Sequence, residues 1–149
     1  MAIWKYRLEK SVTIKIFDPE ILERYSRLNL VIYTDWATIV IKPTCLTVIV
    51  REGYSWDGCS PKWKVDDFIL GVWDGLYDAK THYPQTYYAS MVHDVMCQFF
   101  PQHPLSLRDV DLVFLYLLRE NRFAFALPYY YFVRIWHKTF SKIKSVGKQ

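Results

Sequence analysis

An α+β fold is what this chain predicts: an N-terminal antiparallel sheet with a short helix, followed by three C-terminal helices packed on one face or end of the sheet. Two observations carry that expectation. Near the N-terminus apolar residues alternate with polar ones, the period of a half-buried strand. In the second half they recur at three- and four-residue spacing between prolines and capping residues, the period of an amphipathic helix. The 149 residues suffice for one core without disulfide staples. No repeat or linker interrupts them, so 1–149 reads as a single domain: 1–52 mainly strands, 53–83 loop-rich, 84–140 helical and 141–149 a basic tail.

Trp4, Tyr6 and Leu8 alternate with Lys5 and Arg7, and Val12, Ile14 and Ile16 with Thr13 and Lys15, which predicts a half-buried antiparallel pair. Asp18-Pro19-Glu20 supplies a cap, a first-turn proline and an acid, so a short helix is expected from Pro19 to about Arg27. Leu30 to Thr34, Ala37 to Lys42 and Leu46 to Arg51 return to β-branched composition and complete one small sheet. Between Gly53 and Lys62 two glycines, a proline, an acid and two serines give loop composition, with Tyr54 and Trp56 to pin the loop to the core. From Lys64 to Lys80, Gly71, Gly75, Asp66, Asp67 and Asp74 interrupt any long element.

Three helices follow. The first spans Thr86 to Phe100, with an apolar side of Tyr88, Met91, Val92, Val95, Met96 and Phe99, and is closed by Pro101 and Pro104. Ser106 is the expected N-cap of the second, with Asp109 as an acidic variant of the capping box, and Val110, Val113, Phe114, Leu117 and Leu118 as its buried stripe. The third begins near Pro128 and carries Tyr130, Val133 and Trp136 to about Phe140.

Composition removes several function classes. Apolar residues are 52% and charged residues 23%, which argues against disorder. No run reaches the ~18 apolar residues of a membrane span; Phe123 to Trp136 comes nearest and is broken by Pro128 and Arg134. Met1 to Lys10 has no continuous apolar stretch and does not read as a signal peptide. Cys45, Cys59 and Cys97 are odd in number and lack C-x-x-C spacing, which suits a reducing compartment. The net charge is +4, much of it from Lys138, Lys142, Lys144 and Lys148. That tail reads as a solvated terminus, with nucleic-acid binding the weaker alternative. The aromatic share of 18% hints at a contact face for a protein partner.

Chemistry is expected around His93 and Asp94, an imidazole and a carboxylate in the middle of an apolar helix, both costly to bury without partners. Asp111 likewise has Phe114, Leu115 and Leu118 as its three- and four-residue neighbours. Such groups must meet each other, the glycine-bearing loop Asp57 to Pro61, an ion or water. The functional reading is a hydrolase-like site in which His93 is acid/base or ligand and Asp94 or Asp111 orients it. His93, Asp94 and Asp111 are then the candidate ligands of a divalent metal, with Asp57 or Ser60 completing the shell. The competing reading is a buried His-Asp network that only fastens loop to helices. Cys59 and Cys97 could in principle be nucleophiles near His93, although free cysteines usually serve as packing. Arg108 has a surface role by default. No phosphate loop, G-x-G-x-x-G, H-E-x-x-H or G-x-S-x-G elbow is present.

Four pieces, in order and spacing, resemble a phage and prophage family catalogued as a domain of unknown function, number 1353: Val50 to Lys62 (VREGYSWDGCSPK), Tyr88 to Gln98 (YASMVHDVMCQ), Leu107 to Phe114 (LRDVDLVF) and Tyr130 to Arg134 (YYFVR). The likeness covers roughly the last hundred residues. It implies that Asp57, Ser60, His93, Asp94 and Asp111 belong to the family pattern, that the source is a phage or prophage, and that the protein works in the cytoplasm of a bacterial host or in a virion, with phage or host protein as partner. It implies no activity. Pro61 follows Ser60 directly where the family has an intervening residue, His137 stands where the last helix often ends in glycine, and the family arginine before Asp111 is shifted to Arg108.

Overall fold

The structure, a computed structural model, describes residues 6–25, 27–56, 62–65, 68–71, 79, 81 and 83–146. Its strands are β1 (Tyr6–Arg7), β2 (Val12–Ile16), β3 (Leu30–Tyr33), β4 (Ala37–Lys42), β5 (Cys45–Val50), β6 (Ser55–Trp56), β7 (Lys62–Val65) and β8 (Phe68–Gly71). Its α-helices are α1 (Pro19–Tyr25), α2 (Tyr87–Gln98), α3 (Leu107–Glu120) and α4 (Ala126–Val146), with a 3-10 turn at Phe100–Gln102. Antiparallel sheets lead and three long helices follow, the α+β order expected from the sequence.

The pairing differs from the expected single sheet. β2, β5, β4 and β3 form one antiparallel sheet in that order, while β1–β6 and β7–β8 are separate two-stranded pairs. β1 and β2 therefore pair not with each other but with the segment 46–56. Tyr6 lies opposite Trp56 and Val12 opposite Val50, so the two ladders keep a single register across the gap between them. Leu8 donates to the Tyr54 carbonyl and Gly53 to that of Leu8, each at 2.8 Å, and Gly53 takes the left-handed φ of +92° at the kink. Alternation identifies a strand without naming its partner, and the partner here is about forty residues away along the chain.

One face of the large sheet is apolar. Ala37, Ile39 and Ile41 of β4 and Leu46, Val48 and Val50 of β5 are buried in strict alternation, each large aliphatic side chain contributing about 1.5–3 kcal/mol. They share a core with Met91, Val92, Val95 and Met96 of α2 and Val110, Val113, Phe114 and Leu118 of α3. Trp56 fastens the second layer to the first. Its indole N–H donates to Ser90 Oγ at 3.1 Å, and Ser90 Oγ in turn donates to the Tyr87 carbonyl. The Trp56 ring also meets Tyr87 edge-on at 4.8 Å.

The helix starts follow their capping chemistry. Asp18 Oδ1 accepts from the Ile21 amide at 3.0 Å, ahead of Pro19. Ser106 caps α3 by accepting from the Asp109 amide at 3.2 Å. The Asp109 carboxylate does not close a capping box, because the Ser106 amide donates to the Tyr25 hydroxyl instead. Among the described residues no helix is long and apolar enough to cross a membrane.

Candidate functional site

Three helices converge on the carboxylate of Asp111, which is fully buried. α2 contributes His93 and Cys97, four residues apart on one face, and α4 contributes Arg134 and His137, three apart on another. His93 Nε2 lies 2.8 Å from Asp111 Oδ1, Arg134 Nη1 donates to Oδ2 at 2.8 Å, and His137 Nδ1 is 2.9 Å from the same carboxylate. Cys97 Sγ sits between the rings, 3.8 Å from His93 Nε2 and 3.9 Å from His137 Nε2. The imidazoles are nearly parallel with centroids 5.5 Å apart, and Phe114 packs against His93 at 4.9 Å. The cluster is most enclosed at the His93 end: the side chains of His93, Arg134 and His137 are 6%, 16% and 17% exposed.

The charges follow from these contacts. Burial alone would raise the Asp111 pKa, but hydrogen bonds from His137 and His93 outweigh it and hold the carboxyl at about 2. Burial opposes charge on His137, yet the bond to Asp111 and the nearby thiol bring the ring up to about 9. His93 moves in the same direction: burial is overcome by the Cys97 thiolate and by Asp111. Cys97 is pushed up by burial and pulled down further by both imidazoles, settling at about 7. A buried anion, two imidazoles, a guanidinium and a polarised thiol thus share one small volume. Such an arrangement can move protons, accept a cation, or serve as an ionic clasp.

Of the expected site residues, the structure brings His93 and Asp111 into contact. Asp94 is half-buried on another side of α2, where its charge adds to burial in raising the Tyr54 phenol pKa. The Tyr54 hydroxyl donates to Gln98 Oε1 at 3.3 Å. Asp57 and Ser60, like Cys59, lie outside the described residues. Arg108 reaches Glu20 at 3.5 Å with both side chains about half exposed, the surface role expected of it. The partners that sequence reasoning missed are His137 and Arg134. Their signal was the three-residue spacing on α4, which becomes meaningful only once α4 is known to face α3. His103 is a separate feature: buried and pushed toward neutrality by that burial, it bonds the Met96 carbonyl at 2.8 Å and so holds the 3-10 turn to α2.

Comparison of the chain with protein-family models, with curated proteins and with solved structures finds no match.

Proposed function

We propose that this chain is a small phage-type hydrolase whose reacting centre is the less enclosed end of the Asp111 cluster. The observation that carries the reading is that Asp111 holds two imidazoles at once, one buried and one reaching solvent. His137 is bonded to Asp111 through Nδ1, which leaves Nε2, 3.9 Å from Cys97 Sγ, as the nitrogen not engaged by the carboxylate. A ring held protonated at neutral pH can give that proton to a leaving group as water adds to the electrophilic centre, and the water's own proton then restores the imidazolium. Arg134 and His93 keep the carboxylate ionised and fixed, which holds the His137 ring in one orientation. The phage assignment rests on the four sequence segments and their spacing.

Incubation with ester, peptide and phosphodiester model substrates tests the reading, wild type against His137→Gln and Asp111→Asn, with folding checked by circular dichroism. The expected result is turnover of one class by the wild type and a loss of about 10²-fold or more in folded variants. Failure of the wild type on all three classes, or variants as active as the wild type, overturns it.

A virion-associated or host-interaction module with a purely structural cluster is the second reading. It is favoured by Leu127, Tyr131 and Ile135, a row on α4 at four-residue spacing that is 44%, 59% and 65% exposed. On that reading the same variants lower the melting temperature and change no activity.

A further inference from the structure

We propose that His93, Cys97 and His137 form a binding site for one soft divalent cation, with zinc the best chemical fit. Of the ligands expected from sequence this keeps His93, adds Cys97 and His137, and moves Asp111 to a supporting position. One ring nitrogen from each imidazole and the Cys97 Sγ lie within 4.8 Å of one another. A tetrahedral ion with Zn–S near 2.3 Å and Zn–N near 2.0–2.1 Å sets sulfur and nitrogen ligands roughly 3.5 Å apart. Cys97 already stands 3.8 and 3.9 Å from the two nitrogens, and the nitrogens, within 4.8 Å of each other, approach to roughly 3.4 Å on such an ion, which brings the two imidazoles together around it. Two imidazoles and a thiolate select zinc, or cobalt in its place, over magnesium and calcium, which take oxygen ligands.

The surroundings support the same ion. Asp111 bonds His137 Nδ1, the carboxylate–histidine arrangement that orients a metal-binding Nε2. On His93 the carboxylate meets Nε2 itself, so that ring exchanges its Asp111 contact for the ion, while Asp111 keeps Arg134 and His137. Three protein ligands leave a fourth position for water.

The distances would also allow a Cys97–His137–Asp111 nucleophile chain, and the position of Cys97 decides against it. Cys97 lies in the last turn of α2, at the negative end of the helix dipole, where a bound cation is stabilised and where no helix N-terminus supports a nucleophilic thiolate. Helical amides around it point along α2 rather than toward a developing oxyanion.

The ion would take the same His137 Nε2 that the hydrolase reading protonates, so a loaded site and that acid role exclude one another, and the test keeps the two apart. Protein purified from zinc-supplemented medium is assayed for metal, then reloaded with Co²⁺ for absorption spectroscopy, comparing wild type with Cys97→Ser, His137→Gln and Cys45→Ser. The expected result is about one metal per chain, a thiolate-to-cobalt charge-transfer band, and four-coordinate visible bands. The charge-transfer band disappears in Cys97→Ser and survives in Cys45→Ser, and chelation lowers the wild-type melting temperature, a readout that needs no variant to fold. Wild type free of metal after loading, or a charge-transfer band retained in Cys97→Ser, overturns the site. Stoichiometric cysteine-bound metal with no turnover of any substrate removes the hydrolase reading and leaves the site standing. Turnover by wild type that holds no metal after loading removes the site and leaves acid/base hydrolysis.

Discussion

Helix α3 carries two buried aspartates, Asp109 and Asp111, two positions apart and so on nearly opposite sides. Asp109 faces α1 and takes Arg24, the Tyr25 hydroxyl and Ser106 Oγ. Asp111 faces α2 and α4 and takes His93, His137 and Arg134. Both satisfy a buried carboxylate; they differ in what surrounds it. The Asp109 partners are a permanent cation, a phenol and a capping serine, none of which changes state near neutrality. Those of Asp111 include two rings that gain or lose protons and stand beside a thiol. One network can only hold, whereas the other can hold and also exchange protons or ligands. Burial of an acid does not by itself mark a site; the chemistry of its partners does.

The largest expected effect is Asp111→Ala. It leaves Arg134 and two imidazoles without their shared counter-charge, and breaking a buried ion pair from one side costs about 3–5 kcal/mol. Asp109→Ala should cost less, about 1–3 kcal/mol, because Arg24 is 34% exposed and can turn to water or to Glu20, 2.9 Å away. Urea unfolding of the two variants in chelator measures the difference. Equal losses, or a larger one at Asp109, would break the contrast.

The half of this contrast visible in the sequence follows from where periodicity is strong. Asp111 is conspicuous because Val110, Val113, Phe114, Leu117 and Leu118 define a clear apolar stripe around it, and His93 because α2 is buried over most of its surface. Capping chemistry placed Ser106 and Asp18 for the same local reason. α4 offers no comparable guide: its Tyr and Phe residues suit core and surface alike, and Arg134 reads as an interruption of an apolar run rather than as a ligand for a carboxylate on α3. The pairing of β1 and β2 with residues 46–56 was hidden for a related reason. Both facts are long-range, and spacing along one segment does not encode which distant segment it will meet. The same holds for Arg24, whose i,i+4 pair with Glu20 is local while its contact with Asp109 spans most of the domain.

Acid titration sharpens the comparison at intermediate size. Burial would raise the Asp109 pKa, but hydrogen bonds from Tyr25, Arg24 and Ser106 prevail and hold it below the usual carboxylate range. A folded-state pKa below the unfolded value of about 3.9 means that Asp109 contributes its full stability above that value. The contribution is lost as pH falls through the folded-state pKa, because the unfolded chain then binds the proton more readily. The wild-type advantage over Asp109→Asn in chemical denaturation should therefore be constant near neutrality and shrink below about pH 4. A gap that persists unchanged to strongly acidic pH would mean that Asp109 does not act through its charge.

Ser106→Ala is the smallest effect and the most specific. Ser106 Oγ accepts from the Asp109 amide and donates to its carboxylate at 3.0 Å, so its loss removes an N-cap worth about 0.5–2 kcal/mol and one of the bonds that steady Asp109. Arg24 and Tyr25 remain on the carboxylate, which keeps the loss within that range. Asp111 stands more than a turn further along α3 with its partners on other helices, so metal content and cobalt spectrum should match the wild type while the melting temperature falls. If the spectrum also changes, the two sides of α3 are mechanically coupled, and the capping network is then part of what shapes the cluster on the opposite face.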